Sequence, residues 1–155
     1  VNERTASGLA VGGERTVEEA RVERNGVDQR AVVQMGIPAE ARYLRLARLT
    51  CASLGADLGL TMDGIEDLRV AVDELCAAAI EDAPPGATIQ LEFQVSPDHL
   101  VLEGSVVGTW DGDFALHPVA GALLDIVAGD YSIDQADGRR TFRLLTRSPS
   151  DDADC

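Results

Sequence analysis

The sequence predicts an α+β fold, a two-layer sandwich of a largely antiparallel sheet with helices on one face. Three features predict it. Residues 61–83 carry apolar side chains at intervals of three and four, the stripe of one long amphipathic helix. Residues 88–95 and 100–107 alternate apolar with polar around a turn at Ser96-Pro97-Asp98-His99, which reads as a hairpin. The chain as a whole runs strand, helix, helix, strand, strand, helix, strand, strand, so helices group against hairpin-connected strands.

At 155 residues the chain can hold one domain with a sizeable core, and with only 4% aromatic residues that core must be built from Leu, Val, Ile and Ala. The formal net charge is −14, from 27 acidic residues against 13 basic ones, every one of them Arg. A chain this acidic repels nucleic acid and anionic membranes. The charge suits a basic protein partner, a DNA-binding protein among them, or simply solubility. No run of about 18 apolar residues is present, so no membrane span is expected. The N-terminus lacks the charged and apolar regions of a signal peptide. Cys51 and Cys76 fall in predicted helices and Cys155 ends the sequence, a spacing that suits neither a disulfide framework nor a zinc site. Reduced thiols in a cytoplasmic protein are the expectation.

Residues 1–28 carry little apolar periodicity and read as a flexible tail, with room for a short helix at 17–24. The folded domain is expected over 29–147, and 148–155, with Asp151, Asp152 and Asp154, is an acidic C-terminal tail. The β-branched run at 29–37 supplies the first strand. Pro38 suits the first turn of a helix running to about Leu58, with Leu44, Ala47, Cys51, Leu54 and Leu58 as its core stripe. Arg42, Arg45 and Arg48 step along its other side beside Leu46 and Leu49. Guanidinium forks next to exposed leucines make a partner surface or a solvated face.

Thr61 caps the next helix, and Asp63, Glu66 and Asp67 place negative charge near the positive end of its dipole. Ile65, Leu68, Val72, Leu75, Cys76, Ala79 and Ala83 form the buried stripe, and Pro84-Pro85-Gly86 stops the helix. Glu74 and Ala78 lie side by side away from that stripe, with Val70 and Ala77 close by. Glu74 there is a solvent-exposed carboxylate or a functional one. After the hairpin, residues 109–113 form a polar turn, 114–127 hold a short amphipathic helix with His117 and Pro118 at its start, and 130–134 and 139–146 are strands joined by a turn at 135–138. His99 and His117 have no catalytic or metal-ligand spacing, and no metal site is expected.

The run from Glu66 to Ile80, Glu-Asp-Leu-Arg-Val-Ala-Val-Asp-Glu-Leu-Cys-Ala-Ala-Ala-Ile, resembles the N-box helix of RsbW-type anti-sigma factors, with the nearest likeness to the UsfX-like branch. These are serine-kinase members of the GHKL superfamily, which has a histidine-kinase-like ATPase fold. The resemblance covers roughly residues 30–147 and implies the layout already read from the element order. It implies Glu74 as general base if the protein is an active kinase, with ATP and Mg²⁺ as cofactors. The family's metal-holding Asn, four residues on, is Ala78 here. Its adenine-reading Asp-x-Gly-x-Gly becomes Val106-Val107-Gly108-Thr109-Trp110, in which Gly108 is a remnant of the nucleotide site. Asp111 or Asp113 in a shifted register would be the substitute for the lost carboxylate. The Gly-rich lid shrinks to a segment with Gly121 alone. Three losses together predict a degenerate ATP site with no cofactor.

The resemblance therefore implies an anti-sigma factor that sequesters an alternative sigma factor and is released by an anti-anti-sigma partner, with an active serine kinase as the alternative. It places the partner contacts on Arg42, Arg45, Arg48 and Leu49, the family's interface arginine aligning with Arg48. The family commonly dimerises, so a homodimer is compatible. An interaction module unrelated to transcription is a third reading, since fold does not fix function.

Overall fold

The computed structural model describes residues 30–149. Five strands form one sheet: β1 (Ala31–Pro38), β2 (Thr88–Val95), β3 (His99–Val107), β4 (Asp130–Ala136) and β5 (Arg139–Arg147). Three α-helices accompany them, α1 (Leu44–Asp57), α2 (Met62–Ile80) and α3 (Pro118–Val127), with a 3-10 turn at Ala41–Tyr43. The sheet order is β1-β2-β3-β5-β4 and every pairing is antiparallel.

Period-two alternation decides which face is covered. Met35, Leu91, Gly104, Phe142 and Ile133 stand in register across all five strands and face the helices. The neighbouring row, Gln34, Glu92, Glu103, Arg143 and Ser132, faces away. One sheet face is thus apolar and covered, the other polar and open. α2 lies centrally, and its Leu68, Val72, Leu75, Cys76 and Ala79 are buried against the sheet. Leu44, Ala47 and Cys51 of α1 join the same core.

Local chemistry sets the element ends. The Thr61 hydroxyl accepts from the Gly64 N–H at 3.1 Å, as the N-cap reading requires. The β4–β5 turn uses Asp137 and Gly138, both at positive φ (54° and 71°), the twist that a two-residue hairpin favours. Gln135 and Ala136 therefore belong to β4 rather than to the turn.

Two expected boundaries are corrected. Pro38 does not open a helix; it ends β1 opposite Thr88, and the ladder continues with Ala39 N–H donating to Ala87 O at 2.9 Å. Glu40 is still extended, so α1 begins only at Leu44. β1 is an edge strand, where a missing N–H is tolerated, and proline's fixed φ suits a strand end as well as a helix start. The central helix ends at Ile80 rather than Ala83. Glu81 turns to ψ 127° and Asp82 takes φ 58°, since Pro84 disfavours a helical residue before it and the Glu81 carbonyl accepts from Arg140 instead of from the helix. The tail expected over 1–28, its short helix and Cys155 lie outside the described residues. Within them no helix is long and apolar enough to cross a membrane.

Gly104 lies beneath the Phe142 ring; a Cβ there would fall 2.2 Å from Phe142 Cζ. Gly104→Val is expected to cost at least the ~1–3 kcal/mol of an overpacked core and to lower the melting temperature measured by circular dichroism. An unchanged melt would mean that this β3–β5 register is wrong.

Candidate functional site

Two places bring together the residues singled out by sequence: the crevice at the C-terminal end of α2 and the outer side of α1.

Asp73 of α2 reaches Arg48 of α1, while Glu74, about 100° further round the helix, and Ala78 lie away from that contact. Glu74 is half-buried and makes no hydrogen bond or ion pair among the described residues. Beside it, Ala78 offers a methyl group and a backbone carbonyl. The crevice is filled by the side chain of Arg140 from β5. Its Nη1 donates to Glu81 O at 2.9 Å and more weakly to Ala78 O at 3.5 Å, and its Nε donates to Gln135 Oε1 at 3.0 Å. Its guanidinium carbon sits 3.9 Å from the centroid of the Trp110 ring and 5.3 Å from that of Phe114. Arg140 is only 7% exposed. A cation here meets the negative end of the α2 dipole and two aromatic faces at once.

Gly108 packs under this cluster. Its N–H donates to Gly138 O at 2.8 Å, and a Cβ on it would meet Pro84 Cδ at 2.9 Å and Trp110 Cζ2 at 3.1 Å. Glycine is required there by the tryptophan and proline above it. Val106 is buried in the core, while Asp111 and Asp113 are exposed. The Trp110 Nε1 is buried and has no acceptor among the described residues. His117 Nε2 lies 3.2 Å from Glu81 Oε1 and ties the start of α3 to the end of α2.

On α1 the three arginines diverge. Arg42 bonds Glu40 at 2.9 Å and stands 4.8 Å from the Tyr43 ring centroid. Arg45 is exposed and has no partner among the described residues. Arg48 turns inward to Asp73 of α2, with the two side chains 35% and 39% exposed. Leu49, 65% exposed, and Leu46, 38% exposed, lie among them.

Neither buried cysteine is a ready nucleophile. Burial pushes the Cys51 thiol up to about 12 and raises that of Cys76 as well. Among the described residues no three His, Cys, Asp or Glu side chains gather as a metal site. A concavity of about 580 Å³ lies on the open sheet face, between Gln34, Glu92, Glu103, Asp134 and Arg143, away from the crevice.

Sequence reasoning missed Arg140, Phe114, Gln135 and Asp73. One signal was available for Arg140: in β5 it shares the period-two phase of Phe142 and Leu144, so it must point inward. Asp73 gave none, because its partner is 25 residues away on another helix.

Residues 37–124 match the model of the histidine kinase-like ATPase domain. The chain is 37% identical over 100 residues to the anti-sigma-F factor RsbW of Mycobacterium tuberculosis, covering 61% of this chain and 59% of that protein. It is 34% identical over 71 residues to the serine-protein kinase RsbW of Bacillus subtilis, covering 44% of each. With the serine-protein kinase RsbW of Halalkalibacterium halodurans it shares 33% over 75 residues, 48% of this chain and 46% of that one. The chain thus spans about half the length of the curated relatives it matches.

Arg140→Met keeps the bulk and removes the charge. It is expected to cost about 1–3 kcal/mol of stability through the lost cation–π and hydrogen-bond contacts. It should also shift the emission of Trp110, the one tryptophan of the sequence. Unchanged emission and unchanged urea midpoint would refute the stack.

Proposed function

As this chain belongs to the histidine kinase-like ATPase domain family, we propose that it acts as an anti-sigma factor, holding an alternative sigma factor by protein–protein contact and yielding it to an anti-anti-sigma partner. The names of its relatives support the first part: one is an anti-sigma-F factor, the others serine-protein kinases. The observation that carries the reading is Arg140. Beside Ala78 and Gly108, the positions that the resemblance assigns to a nucleotide site, a buried guanidinium lies against Trp110 and bonds the end of α2. The residues present do not fit a magnesium nucleotide. Ala78 has no side-chain oxygen for a metal, Val106 has no carboxylate for an adenine amino group, and the Trp110 ring stands where a second glycine would let a nucleotide approach. Binding then rests on protein surface alone, and the protein works in the cytoplasm, where sigma factors act.

The partner surface is Arg42, Arg45, Arg48 and Leu49. Arg45 and Leu49 present a fork that is unpaired among the described residues beside an exposed apolar side chain, the composition of an interface anchor. Arg48 is held in one orientation by Asp73 through Nη1, which lowers the entropy lost when its other donors meet a carboxylate. The kinase reading retains one observation in its favour, Glu74, half-buried and without a partner among the described residues.

Calorimetric titration with Mg²⁺ and ATP is expected to give no saturable heat up to about millimolar ligand, where even weak sites of −4 kcal/mol register. Micromolar binding, or transfer of γ-phosphate to a partner serine that Glu74→Gln abolishes, would restore the kinase.

In a sigma-factor binding assay, Arg45→Ala and Leu49→Ala should each weaken affinity about tenfold, or ~1.4 kcal/mol, with an unchanged melting temperature. Arg48→Ala should lower both affinity and melting temperature, because it leaves Asp73 unpaired. Undiminished affinity in all three variants would remove α1 from the interface.

A further inference from the structure

α3 is the least covered helix of the fold. Its sequence, Pro-Val-Ala-Gly-Ala-Leu-Leu-Asp-Ile-Val, has one ionisable residue, yet Leu124 is its one buried side chain. Val119 and Ile126 are each 81% exposed. They stand seven residues apart, so they share one side of the helix. Gly121, on the same helix, has open space where its Cβ would be. An apolar stripe left open on an ordered helix marks an interaction surface.

The rim of this stripe has one sign. Residues 111–138 contain six aspartates and no Lys or Arg. Asp113, Asp125 and Asp130 are exposed around α3, with Asp125 oriented by the Tyr131 hydroxyl, which donates to its Oδ1 at 3.1 Å. Glu81, at the end of α2, sits at the start of α3 beside His117. Arg140 is buried and committed to the crevice.

We infer that the outer face of α3 docks a basic amphipathic helix of a partner protein. Apolar side chains of that helix cover Val119 and Ile126, and Lys or Arg side chains on its flanks meet Asp113, Asp125 and Glu81. Charge complementarity selects this occupant: an anionic membrane is repelled by the same rim, and an acidic helix gains the apolar contact but meets like charge. The surface is separate from the α1 patch and opposite to it in sign, so it goes beyond the reading above and does not depend on what that patch binds.

The test uses the full chain and a labelled synthetic helix of about 18 residues with Leu at the i, i+3, i+4, i+7 spacing and Lys or Arg elsewhere. A second peptide carries Glu in place of each basic residue. Fluorescence anisotropy is expected to show saturable binding of the basic peptide, weakening as salt rises from about 50 to 500 mM, and none of the acidic one. The double variant Val119→Ser with Ile126→Ser should lose at least about tenfold in affinity, and Asp113→Lys several-fold, a tenfold loss being ~1.4 kcal/mol. Leu49→Ala should bind the peptide normally. Melting temperatures should be unchanged, since the altered side chains are exposed. No binding of the basic peptide, or binding indifferent to Val119 and Ile126, overturns the inference. So does a dimer seen in sedimentation velocity that the double variant dissociates, because the face would then take a second copy of this chain.

Discussion

The guanidinium of Arg140 is the contact on which the crevice end of the molecule depends. It joins four pieces of chain: β5, which carries it; the end of α2, whose carbonyls it meets; Trp110 and Phe114 after β3; and Gln135 in β4. A charge buried to this degree costs several kcal/mol unless its surroundings repay it. The repayment here is geometric, since the ring must lie flat against the guanidinium and the Glu81 carbonyl must turn out of the helix to reach Nη1. The early end of α2, the left-handed Asp82 and the close packing of Gly108 against Trp110 and Pro84 are consequences of seating that one group.

α2 is held on three sides by different means. Its underside is apolar and buries Leu68, Val72, Leu75 and Cys76 in the sheet. One flank is tied to α1 through Asp73 and Arg48. The far end is tied to α3 through Glu81 and His117. The half-exposed ion pairs add little net stability, and burial supplies the bulk of it. What the pairs fix is rotation: they settle which way Arg48 points and where α3 starts, and so they determine which side chains the outer surface presents.

The parts of this structure that local chemistry specifies were legible in the sequence. Thr61 as a cap, Pro118 at the start of a helix, the alternation of β2 and β3 and the Asp137-Gly138 turn each depend on residues within one turn of one another. Pro38 was not legible, because its fixed φ serves two elements equally and only pairing with Thr88, fifty residues on, decides between them. The departures from the nucleotide motifs at Ala78, Val106 and Trp110 could be read in the sequence; the surroundings of Arg140 could not. Arg140 meets backbone carbonyls 59 and 62 residues away, and a carbonyl acceptor carries no side-chain signature. Arg48 shows the same limit from the other side: helical spacing places it with Arg42 and Arg45, yet only the neighbouring helix determines that it turns inward.

A crevice closed by a side chain of the same chain changes what can regulate the protein. Where a nucleotide is bound and consumed, its turnover can drive a partner off irreversibly. On the proposed reading, in which Arg140 occupies that space, exchange of partners would follow affinity and concentration alone. Two partners sharing one patch then compete, and the stronger or more abundant one prevails. Partners on separate surfaces interact only through a coupling free energy, which is reciprocal between them. α1 and α3 flank α2 on opposite sides and differ in sign, so one chain can hold an acidic contact and a basic contact together. The contacts that join α2 to these two helices include Arg48 with Asp73 and His117 with Glu81.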